Sequence, residues 1–457
     1  MSRARQKSFR FSSGLSVRIK TVKQGNPKPA YFLFLLLIIA PFVRAQTVDS
    51  LSLNQAIQQV MQNHPLIEQA GQQLQAAQAR SEQSRSLFYP QVDALGLYTR
   101  IGPVPTLDIP GMGSFSLYPE NNYDAHLGAR QVVFDFGRRS TQHSLATSHE
   151  HLAEDNSRRV RSVLAYQTAR TFYIILYLHE NIRELDEEIA ALNAHLSVAE
   201  KKMQTGSATD FDVLTIRVRV ANARSQKVDV ESTLQKQTIA LKRLLGMPAD
   251  QEIHLHGNFT SANGRMDPDS LLAAALSQRP EMLLARDVET SLEIQSNLMS
   301  LGNKPSLLAS LSLGYKNGYI PDLNQAKLNW TAGVQLQFPL FDGFRTHYQT
   351  EAAQADLAAA RAHTQDVSEQ IESEVRQALA DIRARQEKIE TSELQLEQAE
   401  QALSLAKTQY EIGVITNLDL LVAQTSRHEA NLQHIRALYE MILSRFALQE
   451  TIGNKIW

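Results

Sequence analysis

The sequence predicts an α+β membrane protein made of a duplicated unit, each copy a pair of strands followed by a long helical hairpin. Three observations carry this reading. Apolar residues recur every seven positions at Ile382, Ile389, Leu396, Leu403 and Tyr410, a period that holds one helical stripe against a partner helix. Subtracting 207 carries this run onto Ile182, Ile189, Leu196 and Met203, and carries Gly413, Thr416 and Asp419 onto Gly206, Thr209 and Asp212. An offset kept over so much chain marks an internal duplication. Ahead of each helical stretch, the apolar period changes from helical to two.

Composition narrows the function classes. Lys+Arg total 46 and Asp+Glu 48, so the charge balance predicts no nucleic-acid partner. Cysteine is absent, which excludes disulfides, thiolate metal sites, a cysteine nucleophile and a lipid-bearing N-terminal cysteine. Residues 1–45 read as a signal peptide. Eight Lys and Arg precede Pro29, the stretch Tyr31 to Ala40 is apolar, and Val43-Arg44-Ala45 suits cleavage after Ala45. A retained anchor is disfavoured, because a spanning helix needs ~20 apolar residues.

The first repeat covers 46–246. Ser52 caps a helix to about Asn63, and a second helix runs from Pro65 to about Phe88; Pro268 and Pro280 open the counterparts. Strands follow at about 91–101 and 122–134. In the latter, Tyr123, Ala125, Leu127, Ala129 and Val133 alternate with Asp124, His126, Gly128 and Arg130. The proline- and glycine-rich stretch between these strands reads as a loop. The long helical hairpin is expected over 138–245, and a short polar linker over 247–266. The second repeat, 267–457, has strands at about 306–316 and 329–340 and a hairpin at 344–450. Residues 140–204 alone would span roughly 95 Å as a helix.

Each strand has the length of a tilted membrane strand, ~9–11 residues, with one apolar and one polar face. A soluble half-buried sheet would alternate in the same way. Four membrane strands cannot close a barrel, and an open edge is untenable in hydrocarbon. At least two chains are therefore needed, and three would supply twelve strands.

The landmarks Phe88-Tyr89-Pro90, Val133-Phe134-Asp135-Phe136-Gly137, Phe338-Pro339-Leu340-Phe341-Asp342-Gly343, Thr205-Gly206-Ser207, Leu245-Gly246-Met247-Pro248 and Ile412-Gly413-Val414, in this order, resemble the TolC-like outer-membrane efflux proteins over nearly all of the mature chain. The resemblance implies a homotrimer, with a twelve-stranded outer-membrane β-barrel continuous with a periplasmic α-helical barrel. It implies an exit duct for efflux or type I secretion, with outer-membrane lipid, a periplasmic adaptor (membrane fusion) protein and an inner-membrane pump as partners. It also implies adaptor docking at the tips, Gly206, Ser207, Ala208 and Thr209 in one repeat and Gly413, Val414, Ile415 and Thr416 in the other. Asp419 matches an acidic ring across the closed pore, whereas Val422 and Ile415 depart from the family's second acidic ring and a basic residue. Asp212 and Tyr410 match a link between the hairpins.

Plainer roles stand beside these. Asp212 and Asp419 form capping-box patterns with Thr209 and Thr416, and Tyr410 ends a heptad stripe. His143, His149, Glu150 and His151 read as a solvated helix surface, since neighbours two apart face different directions. Asp135 and Asp342 read as helix caps, and Arg130, Lys316 and Asp124 as residues of a barrel interior. No phosphate loop, nucleophile with a base, or supported carboxylate pair is present, so neither an enzyme nor a cofactor is expected. The competing function is a periplasmic coiled-coil scaffold without a pore.

Overall fold

The computed structural model describes residues 50–259 and 267–455; the expected signal peptide and the end of the linker, 260–266, lie outside the described residues. In the first repeat, α1 (Leu53–Asn63) begins at Ser52, whose hydroxyl accepts from the Gln55 amide while the Gln55 side chain takes the Ser52 N–H. There follow α2 (Pro65–Arg85), β1 (Gln91–Arg100), β2 (Thr106–Ile109), β3 (Gly113–Ser116), β4 (Asn121–Phe134), α3 (Arg138–Gln204) and α4 (Asp210–Leu245). The second repeat supplies α5 (Pro268–Gln278), α6 (Pro280–Ser300), β5 (Ser306–Lys316), β6 (Lys327–Gln337), α7 (Arg345–Glu411) and α8 (Asn417–Thr451).

Two differences from the sequence reading have local causes. The stretch between β1 and β4 is not a plain loop, because β2 and β3 pair in it as a small antiparallel hairpin, Leu107 opposite Phe115. Its proline and glycine content masked two four-residue alternations too short to stand out. The strand expected at 329–340 lies at Lys327–Gln337. It ends before Pro339, which has no N–H for a ladder.

All neighbours in the four-stranded sheet, ordered β1-β4-β5-β6, are antiparallel, and β4 to β5 is the junction between repeats. Register brings the apolar sets into common rows: Ala94, Leu127, Leu313 and Trp330 form one, and Val92, Ala129, Leu311 and Ala332 another. The opposite face carries Asp93, Gly128, Ser312 and Thr331 in one row, together with the ion pairs Arg130–Asp93 (3.4 Å) and Lys316–Asp124 (3.6 Å). A half-polar sheet therefore has one oily surface, and Leu127, Leu311, Leu313 and Trp330 on it are exposed. Among the described residues the outer strands β1 and β6 each have one neighbour. Gly314 marks a close approach, since a Cβ there would lie 2.2 Å from the Ala125 carbonyl oxygen. Gly314→Val is expected to unpair β5 from β4, read as loss of heat-resistant folded protein on gels; a normal yield would disprove the tight contact.

The helices pack within and between hairpins. Phe172, Ile175, Leu241 and Leu245 form a core with Ala56 and Val60 in the first repeat, and Ile371, Val375, Ile382, Met441 and Leu448 one with Ala275 and Met282 in the second. Antiparallel helices α3 and α8 join the repeats along a seam. Tyr173 meets Phe446 with ring centroids 5.6 Å apart, and Tyr177 stacks on Tyr439 at 5.0 Å. Further along, Glu184, only 1% exposed, accepts from Arg427, from His428 (2.6 Å) and from Asn431 (2.6 Å).

At the far end of α8, burial and the nearby Glu281 and Glu374 push the Glu450 carboxyl up to about 7, against the pull of Arg279. A raised carboxyl pKa stabilises the fold below the ordinary value and loses that contribution as pH rises through about 7. Glu450→Gln is therefore expected to be more stable than the parent at pH 8 and equal to it near pH 4. Thermal unfolding at both pH values checks this, and an equal Tm difference at the two would refute it.

Candidate functional site: the hairpin tips

Each hairpin turns through a glycine followed by a capping box. The Gly206 and Gly413 backbones are left-handed, at φ +76° and +77°. Ser207 N–H donates to Lys202 O (2.7 Å) and Gly206 N–H to Met203 O (3.0 Å); Val414 and Gly413 donate likewise to Gln409 (2.8 Å) and Tyr410 (3.2 Å). This pair of bonds closes the last carbonyls of α3 and α7 in a way that needs a residue free to adopt positive φ. Ser207 and Val414 are exposed, Ala208 and Ile415 half-buried.

The next helices open on Thr209 and Thr416. Asp212 Oδ2 accepts from Thr209 N (2.9 Å) and Oγ1 (2.7 Å), and Asp419 Oδ2 from Thr416 N (2.9 Å) and Oγ1 (2.6 Å). Both carboxyls lie below the usual aspartate range. The first cause for Asp212 is the Thr209 backbone bond, and for Asp419 the Thr416 hydroxyl bond. A depressed carboxylate stabilises the fold above the ordinary aspartate pKa and loses this as pH falls through its lowered value. Both caps should therefore loosen only under strong acid.

The two aspartates then diverge. Asp212 Oδ1 accepts from Asn417 Nδ2 across the hairpins (3.3 Å), while Asp419 is exposed at the tip. Asn417 Oδ1 in turn contacts His195 Nε2. A carboxylate can only accept, so the Asn417 amino group faces Asp212, its oxygen faces the ring, and His195 carries its proton on Nε2. The bond that Asp212 makes to the other hairpin thus goes to Asn417. Tyr410 instead packs on His195 (centroids 5.4 Å) and beneath the Lys202 ammonium (4.0 Å). The duplication itself held a signal for Asn417: the offset places Asp210 at its counterpart, so the copies differ there in charge.

Around these groups each tip has a packed side and an exposed side. Val213, Ile216, Val220 and Leu421 close a core with Leu192 and Ala199, whereas Ile412, Val414, Leu418 and Val422 are exposed, as are Phe211, Leu214 and Val218. The other sequence candidates sit elsewhere. His143 faces Ser84 (2.6 Å) and the edge of Phe88. Asp135 accepts from the Arg139 N–H (3.1 Å) and Asp342 from that of Thr346 (2.9 Å), both at strand-to-helix corners.

The sequence profile of the outer membrane efflux protein family matches residues 56–247 and 271–454, both repeats. The chain belongs to this family. An outer membrane protein TolC of Vibrio cholerae is 25% identical to this efflux-family chain over 333 residues, 69% of this chain and 74% of the relative. The cobalt-zinc-cadmium resistance protein CzcC of Cupriavidus metallidurans is 24% identical over 332 residues, 70% of this chain and 74% of its own. Among solved structures, the outer membrane protein VceC of Vibrio cholerae superposes with a TM-score of 0.76 at 22% identity, covering 89% of this chain and 97% of that one. The efflux-family protein is an outer-membrane protein that extends into the periplasm, and the solved neighbours CmeC of Campylobacter jejuni and OprN are outer-membrane channels.

Proposed function

We propose that three copies of the chain form a passive exit duct, a twelve-stranded barrel in the outer membrane continuous with a periplasmic tube of helical hairpins. The observation that carries this is the open sheet: one oily face, and β1 and β6 each with a free edge. Unpaired strand edges cannot persist in hydrocarbon, and copies of the same sheet supply the missing neighbours. The polar face then lines the interior. A periplasmic adaptor (membrane fusion) protein docks on the exposed tip residues, and an inner-membrane pump drives the substrate. The tip is the gate, held shut by the Asp212–Asn417–His195 link, with Asp419 presenting a carboxylate ring to the pore.

The experiment is the mass of the detergent-extracted complex followed by conductance in a planar bilayer. A trimer with a cation-preferring pore supports the duct; a water-soluble monomer or dimer without conductance overturns it. Within that assay, Asn417→Asp sets a carboxylate against Asp212. Like charges at hydrogen-bond distance repel, so the variant should conduct more than the parent. Asp419→Ala should weaken cation preference, and unchanged selectivity would remove Asp419 from the pore.

A further inference from the structure

The strand-to-helix corners carry an observation that the duct does not use. Each turns through two successive residues at positive φ: Phe136 (+54°) and Gly137 (+86°) before α3, Gly343 (+68°) and Phe344 (+63°) before α7. The duplication offset sets Phe136 on Gly343 and Gly137 on Phe344, so the copies use the same two residue types in opposite order. Conformation alone favours glycine at all four positions, because a bulky side chain in the left-handed region is strained. One strained phenylalanine nonetheless stands in each corner, and core packing does not account for it: Phe136 is 49% and Phe344 62% exposed. Each touches another exposed ring edge-on, Phe134 at 4.8 Å and Phe341 at 5.6 Å. Strain kept at exposed positions points to function.

Two further features indicate what covers these rings. The corners directly follow β4 and β6, so they continue the oily face of the sheet at the end from which the periplasmic helices leave. The first turns of α3 and α7 contain no acidic residue and instead begin with Arg138 and Arg345, a disfavoured charge at a helix N-terminus. The corner carboxylates are engaged elsewhere, Asp135 by the Arg139 amide and guanidinium and Asp342 by the Thr346 amide and hydroxyl. Among the described residues the backbone N–H groups of Arg138 and Arg345 donate to the Asp135 and Asp342 carbonyls, but the Arg138 guanidinium has no hydrogen bond or ion pair, and that of Arg345 has only the through-space attraction of Asp342. An exposed aromatic beside an unsatisfied cation, at the rim of a lipid-facing surface, fits a phospholipid: ring at the boundary of acyl chain and headgroup, guanidinium on phosphate.

We propose that the two corners form a collar docked on inner-leaflet phospholipid of the outer membrane, with Phe136 and Phe344 entering the headgroup boundary and Arg138 and Arg345 binding lipid phosphate. This rests on the outer-membrane siting of the sheet. It gives the chain an anchor at the base of its membrane region made of side chains alone.

The test uses the full chain reconstituted in vesicles of phosphatidylethanolamine and phosphatidylglycerol and extracted in mild detergent. Retained lipid is counted by native mass spectrometry, and thermal unfolding is followed in parallel. The Arg138→Gln, Arg345→Gln double variant should retain about tenfold less phosphatidylglycerol, the scale of losing one charge-assisted contact per corner, at unchanged Tm. Phe136→Gly with Phe344→Gly should also lose lipid while its Tm stays level or rises, because the left-handed strain is relieved. A fall in Tm for the glycine variant would make the phenylalanines packing residues, and equal lipid counts in all three proteins would remove the collar. A parent chain that does not float with the vesicles would overturn the membrane siting as well. One that floats and conducts but keeps no lipid overturns the collar only.

Discussion

Leu311→Arg is expected to keep the chain from folding into a bilayer, whereas Ser312→Arg, one residue along β5, is expected to fold almost normally. Leu311 sits at the middle of its strand in a row with Ala129 and Ala332, on the oily face; Ser312 lies between Gly128 and Thr331, on the polar one. Arginine on the lipid face near the midplane of a membrane barrel costs ~2–4 kcal/mol, about two orders of magnitude in the folding equilibrium. Three copies would multiply this cost in the proposed trimer. The polar face bears Arg130 and Lys316 already, so a further arginine there meets water and nearby carboxylates. The measurement is refolding into phospholipid vesicles, followed by the gel shift between folded and unfolded protein. Equal tolerance of the two arginines would mean that the sheet does not have one face in lipid.

The second large effect is expected at the seam between repeats. Glu184→Ala removes the acceptor that Arg427, His428 and Asn431 share and leaves those groups in a site where their partner was 1% exposed. Breaking a buried charged pair by deleting one partner costs about 3–5 kcal/mol. The lower end is expected here, because Arg427 retains Glu400 at 3.7 Å. Glu184→Gln should cost less, since it keeps the shape and an acceptor for Asn431. Burial acts to raise the Glu184 carboxyl, but His428, Arg427 and Asn431 together outweigh it and hold the group below the usual glutamate range. Its contribution is therefore complete above the ordinary glutamate pKa and is lost as pH falls through the lowered one. The Tm gap between parent and Glu184→Gln should narrow below about pH 4. A gap independent of pH would show that shape, not charge, holds α3 to α8.

Much of the fold was legible because it is local. A hydroxyl three residues before a carboxylate specifies a capping box wherever a helix starts, so the Thr209–Asp212 and Thr416–Asp419 geometry could be read directly from the chain. Strand alternation and the 207-residue offset likewise depend only on order along the sequence. The β2–β3 hairpin was lost because two four-residue strands give too short an alternation to stand out from turn residues. At the tip, Tyr410 was the natural partner for Asp212 by resemblance, yet the contact went to Asn417.

Sequence alone therefore determined the duplicated plan, the hairpin turns with their caps, and the sheet's division into an oily and a polar face. Each follows from a period or a short-range bond that one stretch of chain sets by itself. Tertiary structure alone decided that α3 lies against α8, that β4 joins β5, and that Glu184 meets His428 and Asn417 meets His195. A seven-residue repeat makes a helix sticky along one stripe without naming its partner or its register, because every turn of the stripe looks alike to a neighbouring helix. The polar groups that break the tie sit more than two hundred residues apart, and only packing brings them within hydrogen-bond reach.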